Sequence, residues 1–383
     1  MPLFKRKKKR DHLRELELFK VVSGQLVLEL VPELTTLQSY FEGNMIHLRG
    51  SLIGEPEAAV ETIIRKCRTR GYNAFVSEEP EYVHIKIARA RKPKQSRIRV
   101  NIIFGVLTLL TVLWAGGMHA GVDILEQPGL WYVGLPFAGA LLLILLAHEL
   151  GHYFTARHYG IKATLPLFLP VPNPLIGTFG AVIKMKSPIP HRKALFDVGL
   201  SGPLAGLAVA IGVILIGLNL SEVITADYPE LILNYGAPGT ITILGESFLV
   251  NLPPLYKLLQ LLAIGPLAAD QVLMLHPVAF AGWLGLLVTA LNLIPMGQLD
   301  GGHVIFASLR RAYKPLGTIL FFGLLVLAWF WQGWLLWAAL LFIFSKRRPA
   351  PLNDLTPLTG VRRFGGYFTL LVFFLCFTPV PIP

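Results

Sequence analysis

Cysteine is almost missing from this chain: among 383 residues there are only Cys67 and Cys376. Two thiols so far apart exclude a disulfide framework. Neither lies near a histidine in sequence, so both read as packing residues. Charge is scarce as well, 15% of residues against 54% hydrophobic, with a mean hydropathy of +0.58. That balance excludes an ordinary soluble enzyme and points to a polytopic α-helical membrane protein. Acids are fewer than bases, 23 against 35, for a net charge of +12. In a soluble protein such an excess would suggest nucleic acid. Here the bases flank apolar runs on one side, which is an orientation signal, so the expected partner is the lipid bilayer and not nucleic acid. No apolar core follows the run Lys5 to Arg10, so no secretory signal is expected, and Asp11, Glu15 and Glu17 argue against a transit peptide. An internal repeat is missing too, and nothing in the pattern speaks to oligomeric state.

The one polar stretch of length lies near the start. Residues 1–19 read as a basic cytosolic tail touching anionic headgroups, and residues 20–99 as a small α+β soluble domain. In it Val27 to Leu30, Met45 to Leu48, Ala74 to Val76 and Val83 to Ile87 read as strands. Pro56 to Arg70 reads as a helix with Ala59, Ile63, Ile64 and Cys67 on one face. No cluster of His, Cys or carboxylates marks a site there; substrate docking, regulation and simple packing stay open for it.

Residues 100–383 read as the membrane domain, with about seven crossings. Spans are expected at about 101–118, 133–156, 196–219 and 276–300, then a tight hairpin over 316–345 turning near Gln332 and Gly333, then about 366–381. A single helix over 316–345 would be about 45 Å long and carry positive charge at both ends, which is why two arms are expected. Bases before the first span, and again at Arg157, Lys162, Lys184, Lys186, Arg192 and Lys193, put those segments and the N-terminus in the cytosol. The acidic stretch 220–272 lies outside, with Phe248 to Leu262 able to rest in the interface. Leu165 to Met185 is apolar but broken by Pro166, Pro170, Pro172, Pro174, Gly177 and Gly180. Prolines that dense rule out a spanning helix, and irregular backbone at membrane depth has to be buried in protein or line a wet cavity. It is expected as a re-entrant loop or hairpin whose free edge near Gly180 to Ile183 takes an extended substrate by strand addition.

At the cytosolic end of the second span stands His148-Glu149-Leu150-Gly151-His152. Four residues apart on a helix, the two imidazoles share a face, as a tetrahedral zinc site requires, and Glu149 between them can take a proton from water. A glutamate at membrane depth is costly without a role or a partner. A third ligand is still needed. The best candidate is Asp300, which closes the fourth span on the same side at a similar depth and is followed by Gly301 and Gly302. Small residues from Ser201 to Gly206 on the third span permit close helix approach.

His148 to His152, taken with Asn292 through Asp300-Gly301-Gly302, resembles the paired signature of the site-2 protease family of intramembrane zinc metalloproteases, peptidase family M50. The likeness covers about residues 130–310 and implies a three-helix catalytic core built from the second, third and fourth spans. It implies Zn2+ as cofactor, bound by His148, His152 and Asp300, with Glu149 as general base and Asn292 holding substrate or the oxyanion. Gly177, Thr178, Phe179 and Gly180 fall in the segment resembling the family's substrate-clamping re-entrant loop. Single-span membrane proteins are the implied substrates. One departure stands out: Gly297 occupies a place where the family motif often has a second proline. No loop is long enough and patterned for a PDZ or CBS domain, and with its small α+β N-terminal domain and Gly177-Thr178-Phe179-Gly180 loop the chain looks more like the branch shared by photosynthetic bacteria, other bacteria and plastids. A bacterial cytoplasmic membrane is the expected location, with a plastid membrane second. A zinc transporter and a noncatalytic membrane chaperone are the competing readings, and a prenyl-protein type of protease would need a downstream glutamate ligand that the later spans do not carry.

Overall fold

The computed structural model describes residues 25–90, 98–225, 239–268, 270–345 and 350–382. The basic tail and the bases over 91–97 that support the orientation reading lie outside these residues. The chain divides into two compact units, one of Met1–Lys94, Ser187–Leu195 and Ala350–Leu358, the other of Gln95–Lys186, Phe196–Pro349 and Thr359–Pro383.

In the first unit, strands β1 (Leu34–Glu42), β2 (Met45–Leu52), β3 (Tyr72–Glu78) and β4 (Val83–Arg89) form an antiparallel sheet in the order β1-β2-β4-β3, with helix α1 (Pro56–Thr69) on one face. Alternation puts Ile46, Leu48, Ala74, Val76, Ile85 and Ile87 on that face, where they bury against Ala59, Val60, Ile63 and Cys67. The Cys67 thiol is pushed up to about 12 by burial, in keeping with an inert packing residue. Val27 to Leu30 corrects the sequence expectation: residues 25–30 are helical. Leu26, Leu30 and Leu34 recur every fourth residue and are all buried, while Leu28 is 72% exposed; the period of a helix outweighs a short alternation. Beyond β3 the sheet gains distant chain. The Val76 N–H donates to Leu352 O at 2.7 Å, Asp354 N–H to Val76 O at 3.0 Å, and Leu352 N–H to Ile189 O at 2.8 Å.

Among the described residues the second unit has three helices long and apolar enough to cross a membrane. They are α2 (Ile98–His119), α3 (Leu135–His158, entered through a 3-10 turn over Pro128–Gly134) and α4 (Arg192–Asn219), whose first four residues fall in the other unit. Between α3 and α4, β5 (Leu167–Pro170) and β6 (Thr178–Val182) pair antiparallel, Leu167 opposite Val182 and Phe168 opposite Ala181, giving the hairpin expected from the proline-broken stretch. The stretch after α4 departs from expectation. It holds a second sheet, β7 (Glu222–Thr225), β8 (Gly239–Ile243), β9 (Glu246–Val250) and β10 (Gln271–Met274), in the order β7-β10-β8-β9. Phe248 to Leu262 therefore splits between β9 and helix α5 (Pro254–Ala263). Strands of four or five residues are too short for alternation to reveal them.

Helix α6 (Pro277–Leu293) corrects the expected fourth span. It stops after 17 residues, and Asp300 opens a separate helix, α7 (Asp300–Ser308). Pro295 explains the stop, because the residue before a proline is driven out of the helical region; Ile294 sits at φ −54°, ψ 122°. Helices α8 (Arg310–Leu327) and α9 (Gly333–Ser345) form the expected hairpin, and α10 (Gly365–Cys376) follows. Phe137, Ile144, Ala210, Ile214, Phe280 and Trp283 pack the centre where α3, α4 and α6 meet.

Candidate metal centre and active site

Helical spacing on α3 delivers His148 and His152 to one buried face, with their Nε2 atoms 3.1 Å apart. The break after α6 brings Asp300 to them from the first turn of α7, where a carboxylate meets the positive end of the helix. Its Oδ2 lies 3.1 Å from His152 Nε2 and 3.3 Å from His148 Nε2. Three donors around a tetrahedral zinc with bonds of about 2.0–2.1 Å stand roughly 3.3 Å apart, so the spacing suits such an ion. The tautomer supports this. His152 Nδ1 donates to the Val198 carbonyl on α4 at 2.7 Å, which leaves the neutral ring's lone pair on Nε2, facing the lone pairs of the carboxylate. Such a pair repels unless a cation or proton lies between, and the three residues form the one His/Cys/Asp/Glu group among the described residues that can hold a metal ion.

The wall behind the site is α4. A Cβ at Gly202 would fall 2.1 Å from His152 Nε2, so only glycine lets the imidazole lie against that helix. The run Ser201 to Gly206 was the sequence signal for this face. Val198 had none, because a carbonyl serves whatever side chain its residue carries.

Glu149 is 6% exposed, on the side of α3 facing the hairpin. Among the described residues β6 pairs with β5 alone, so its other edge is unpaired. Thr178 and Gly180 shape this strand: Thr178 Oγ1 donates to Leu169 O at 2.8 Å and accepts from Gly180 N–H at 3.0 Å. Gly177, at φ +67°, seats the hairpin on α2, and Phe179 projects outward, 72% exposed. Asn292 lies in the last turn of α6, half-buried, its side-chain amide making no hydrogen bond to any described residue. Gly297, at φ +61°, turns the chain toward Asp300 in a conformation closed to proline, which accounts for the departure from the family motif. His303 does not join the three-residue group; its Nδ1 donates to Leu299 O at 2.8 Å.

Outside the spans, Tyr159 follows the end of α3. Its hydroxyl is pushed up to about 12 by burial and by its bond to the Asp197 carboxylate, so it stays a donor at any physiological pH.

Two imidazoles and a carboxylate converging among apolar helices, with a second buried carboxylate beside them, are the donor set of a metal-dependent hydrolase centre. A family model described as peptidase family M50 matches residues 136–327. The chain belongs to that family. Relatives include the probable zinc metalloprotease EGY2, chloroplastic, of Arabidopsis thaliana, 30% identical over 83% of this chain and 57% of its own length. The probable zinc metalloprotease EGY1, chloroplastic, of Oryza sativa subsp. japonica is 31% identical over 65% of this chain and 41% of its own, and EGY1 of Arabidopsis thaliana is 32% identical over 64% and 43%. The chain thus spans about half the length of these curated relatives. No solved structure matches it.

Proposed function

We propose that this protein is an intramembrane zinc metalloprotease of the site-2 type, hydrolysing peptide bonds in or beside the spans of single-span membrane proteins. The observation that carries the reading is the convergence of His148, His152 and Asp300 within hydrogen-bond distance, from helices 148 residues apart in sequence, with Glu149 beside them. Family membership and the names of the relatives support it.

In this reading His148, His152 and Asp300 would hold the ion, which when bound would supply a Lewis acid for the scissile carbonyl and for water. Glu149 takes the proton of the attacking water on its carboxylate and hands it to the leaving amine. The open edge of β6 holds the substrate extended, so a helical span has to unwind first; targets with Gly, Pro or polar residues in their spans follow. Asn292, with its amide uncommitted, binds substrate or the developing oxyanion. We read the apolar helices as about seven crossings and the first unit as a soluble domain for docking or regulation. For location, the chloroplast named for the relatives favours a plastid membrane over the bacterial cytoplasmic membrane expected from the sequence, and fractionation of the source cell decides between them.

The test compares membranes carrying the wild type with membranes carrying Glu149→Gln, a change that keeps the ion and removes the base. Single-span proteins should accumulate intact on the variant and appear as fragments with the wild type. Identical profiles from a zinc-loaded protein would turn the reading toward transport or a chaperone role.

A further inference from the structure

Helices α3 and α4 are joined twice. One link is His152 Nδ1 to Val198 O, described above. The other lies one residue earlier on α4, where the Asp197 carboxylate accepts three bonds: Arg362 Nε at 2.7 Å on Oδ1, Arg362 Nη2 at 3.0 Å on Oδ2, and the Tyr159 hydroxyl at 2.5 Å on Oδ2. Tyr159 closes the C-terminus of α3, its N–H donating to Thr155 O and Arg157 O. Arg362 belongs to a 3-10 turn, Gly360–Arg363, that leads into α10. It lies beyond residues 136–327, which the family model covers.

We propose that Asp197, held by Arg362 and Tyr159, is a positioning residue for His152, fixing the height of the Val198 carbonyl on α4 and through it the aim of the imidazole. This rests on the metal reading above. The start of α4 needs such an anchor. Pro203 has no N–H for the Gly199 carbonyl and its ring crowds that oxygen, so the turn carrying residues 198 and 199 is loosened. Within it Val198 O accepts both His152 Nδ1 and, at 3.0 Å, the Ser201 hydroxyl. Small rotations of this turn move the carbonyl away from the ring. A fork of two parallel bonds from Arg362 resists rotation as well as translation, which a single bond does not. The Arg362 side chain is 38% exposed, and an ion pair that wet adds little to global stability. Partners of a metal-bound imidazole, by contrast, shift metal affinity by roughly 10–100-fold when altered. The consequence of breaking the brace belongs at the metal site and not in the melting curve.

The experiment uses the full chain in detergent and measures zinc affinity by chelator competition for the wild type, Asp197→Asn and Arg362→Gln, alongside thermal unfolding. Zinc binding about 10–100-fold weaker in both variants, with proteolysis restored by excess zinc, is the expected result. A folded variant that binds zinc within about twofold of the wild type overturns the proposal, as does a fall in melting temperature with affinity unchanged. Should Asp197→Asn fail to fold, Arg362→Gln decides, since it lies outside the helices. A wild type that holds no zinc refutes the metal reading itself, and is told apart from failure of the brace by that control.

Discussion

Replacing Gly202 by alanine tests whether the α4 face is part of the metal centre. The added methyl would lie 2.1 Å from Nε2, 2.3 Å from Cδ2 and 2.5 Å from Cε1 of His152, where ordinary contact begins at 3.4 Å. The ring has to retreat by more than an ångström, or the helices have to part. Retreat pulls Nδ1 off the Val198 carbonyl, now 2.7 Å away, and carries Nε2 out of the triangle with His148 and Asp300. Overpacking of this kind costs about 1–3 kcal/mol, of which the better helix propensity of alanine returns up to ~1 kcal/mol. A misplacement near 1 Å at a reacting centre lowers rate by roughly a hundredfold. Gly206→Ala is the graded comparison, because its methyl would meet the His148 Cβ at 3.1 Å and needs a shift of only a few tenths of an ångström. Gly212→Ala, with nothing within 4 Å, is the neutral one. Zinc retained per chain after dialysis against a weak chelator, and cleavage of a membrane substrate, should fall steeply for Gly202→Ala, slightly for Gly206→Ala and not at all for Gly212→Ala. Equal retention by the first and third variants would refute the reasoning.

Asp300→Asn keeps the shape of the proposed third ligand and removes its charge. Zinc retention should drop at least tenfold, where Glu149→Gln retains the metal; equal retention by the two variants counts against Asp300 as a ligand. Gly177→Ala places a Cβ 2.6 Å from Thr111 O at φ +67°, so the hairpin should lift from α2, with cleavage reduced and zinc content unchanged; unaltered cleavage would separate the hairpin from substrate binding. In the first unit His47 Nδ1 and His84 Nε2 lie 3.0 Å apart. Burial lowers both imidazoles below the usual 6.5, with Lys86 and Arg49 adding to it and Glu42 opposing at His47. The unfolded rings take up protons near pH 6.5 while the folded ones resist, so stability holds above that pH and falls as the pH drops below it. The melting temperature followed from pH 7.5 to 5 should decline; a flat or rising course refutes the assignment.

How much was legible depended on whether a segment's physics is local. The three long helices were, because apolar length alone sets them. So was the hairpin over Leu165 to Met185, because proline density forbids the alternative. That His148 and His152 share one face was legible through helical spacing, and the approach of Asp300 to them through matched depth. Val27 to Leu30 was misread because four residues suit either period, and the register with Leu34 was needed to decide. In the small sheet β7 and β10 join by pairing across long separations in sequence, which no local pattern carries, and the β8–β9 hairpin is too short for alternation to reveal. Arg362 carried a readable charge, but its partner Asp197 lies 165 residues away and only folding joins them.

The misplaced end of the fourth span has the larger consequence. Had α6 continued to Asp300, the carboxylate would have stood at the C-terminal end of a helix, where exposed carbonyls repel negative charge. The break reverses this. Pro295 stops α6, Gly297 turns the chain through a left-handed conformation, and Asp300 emerges in the first turn of α7, where free N–H groups favour the anion. A tight turn also places the ligand with less slack than a long helix end allows, because Gly301 packs against the Leu293 carbonyl so closely that a Cβ there would lie 2.0 Å from it. The stretch between Asn292 and Asp300 works as a hinge-free bracket, with α6 supplying a free amide at one end and α7 a fixed carboxylate at the other. Its sequence tolerates little change for reasons of backbone geometry as much as of chemistry.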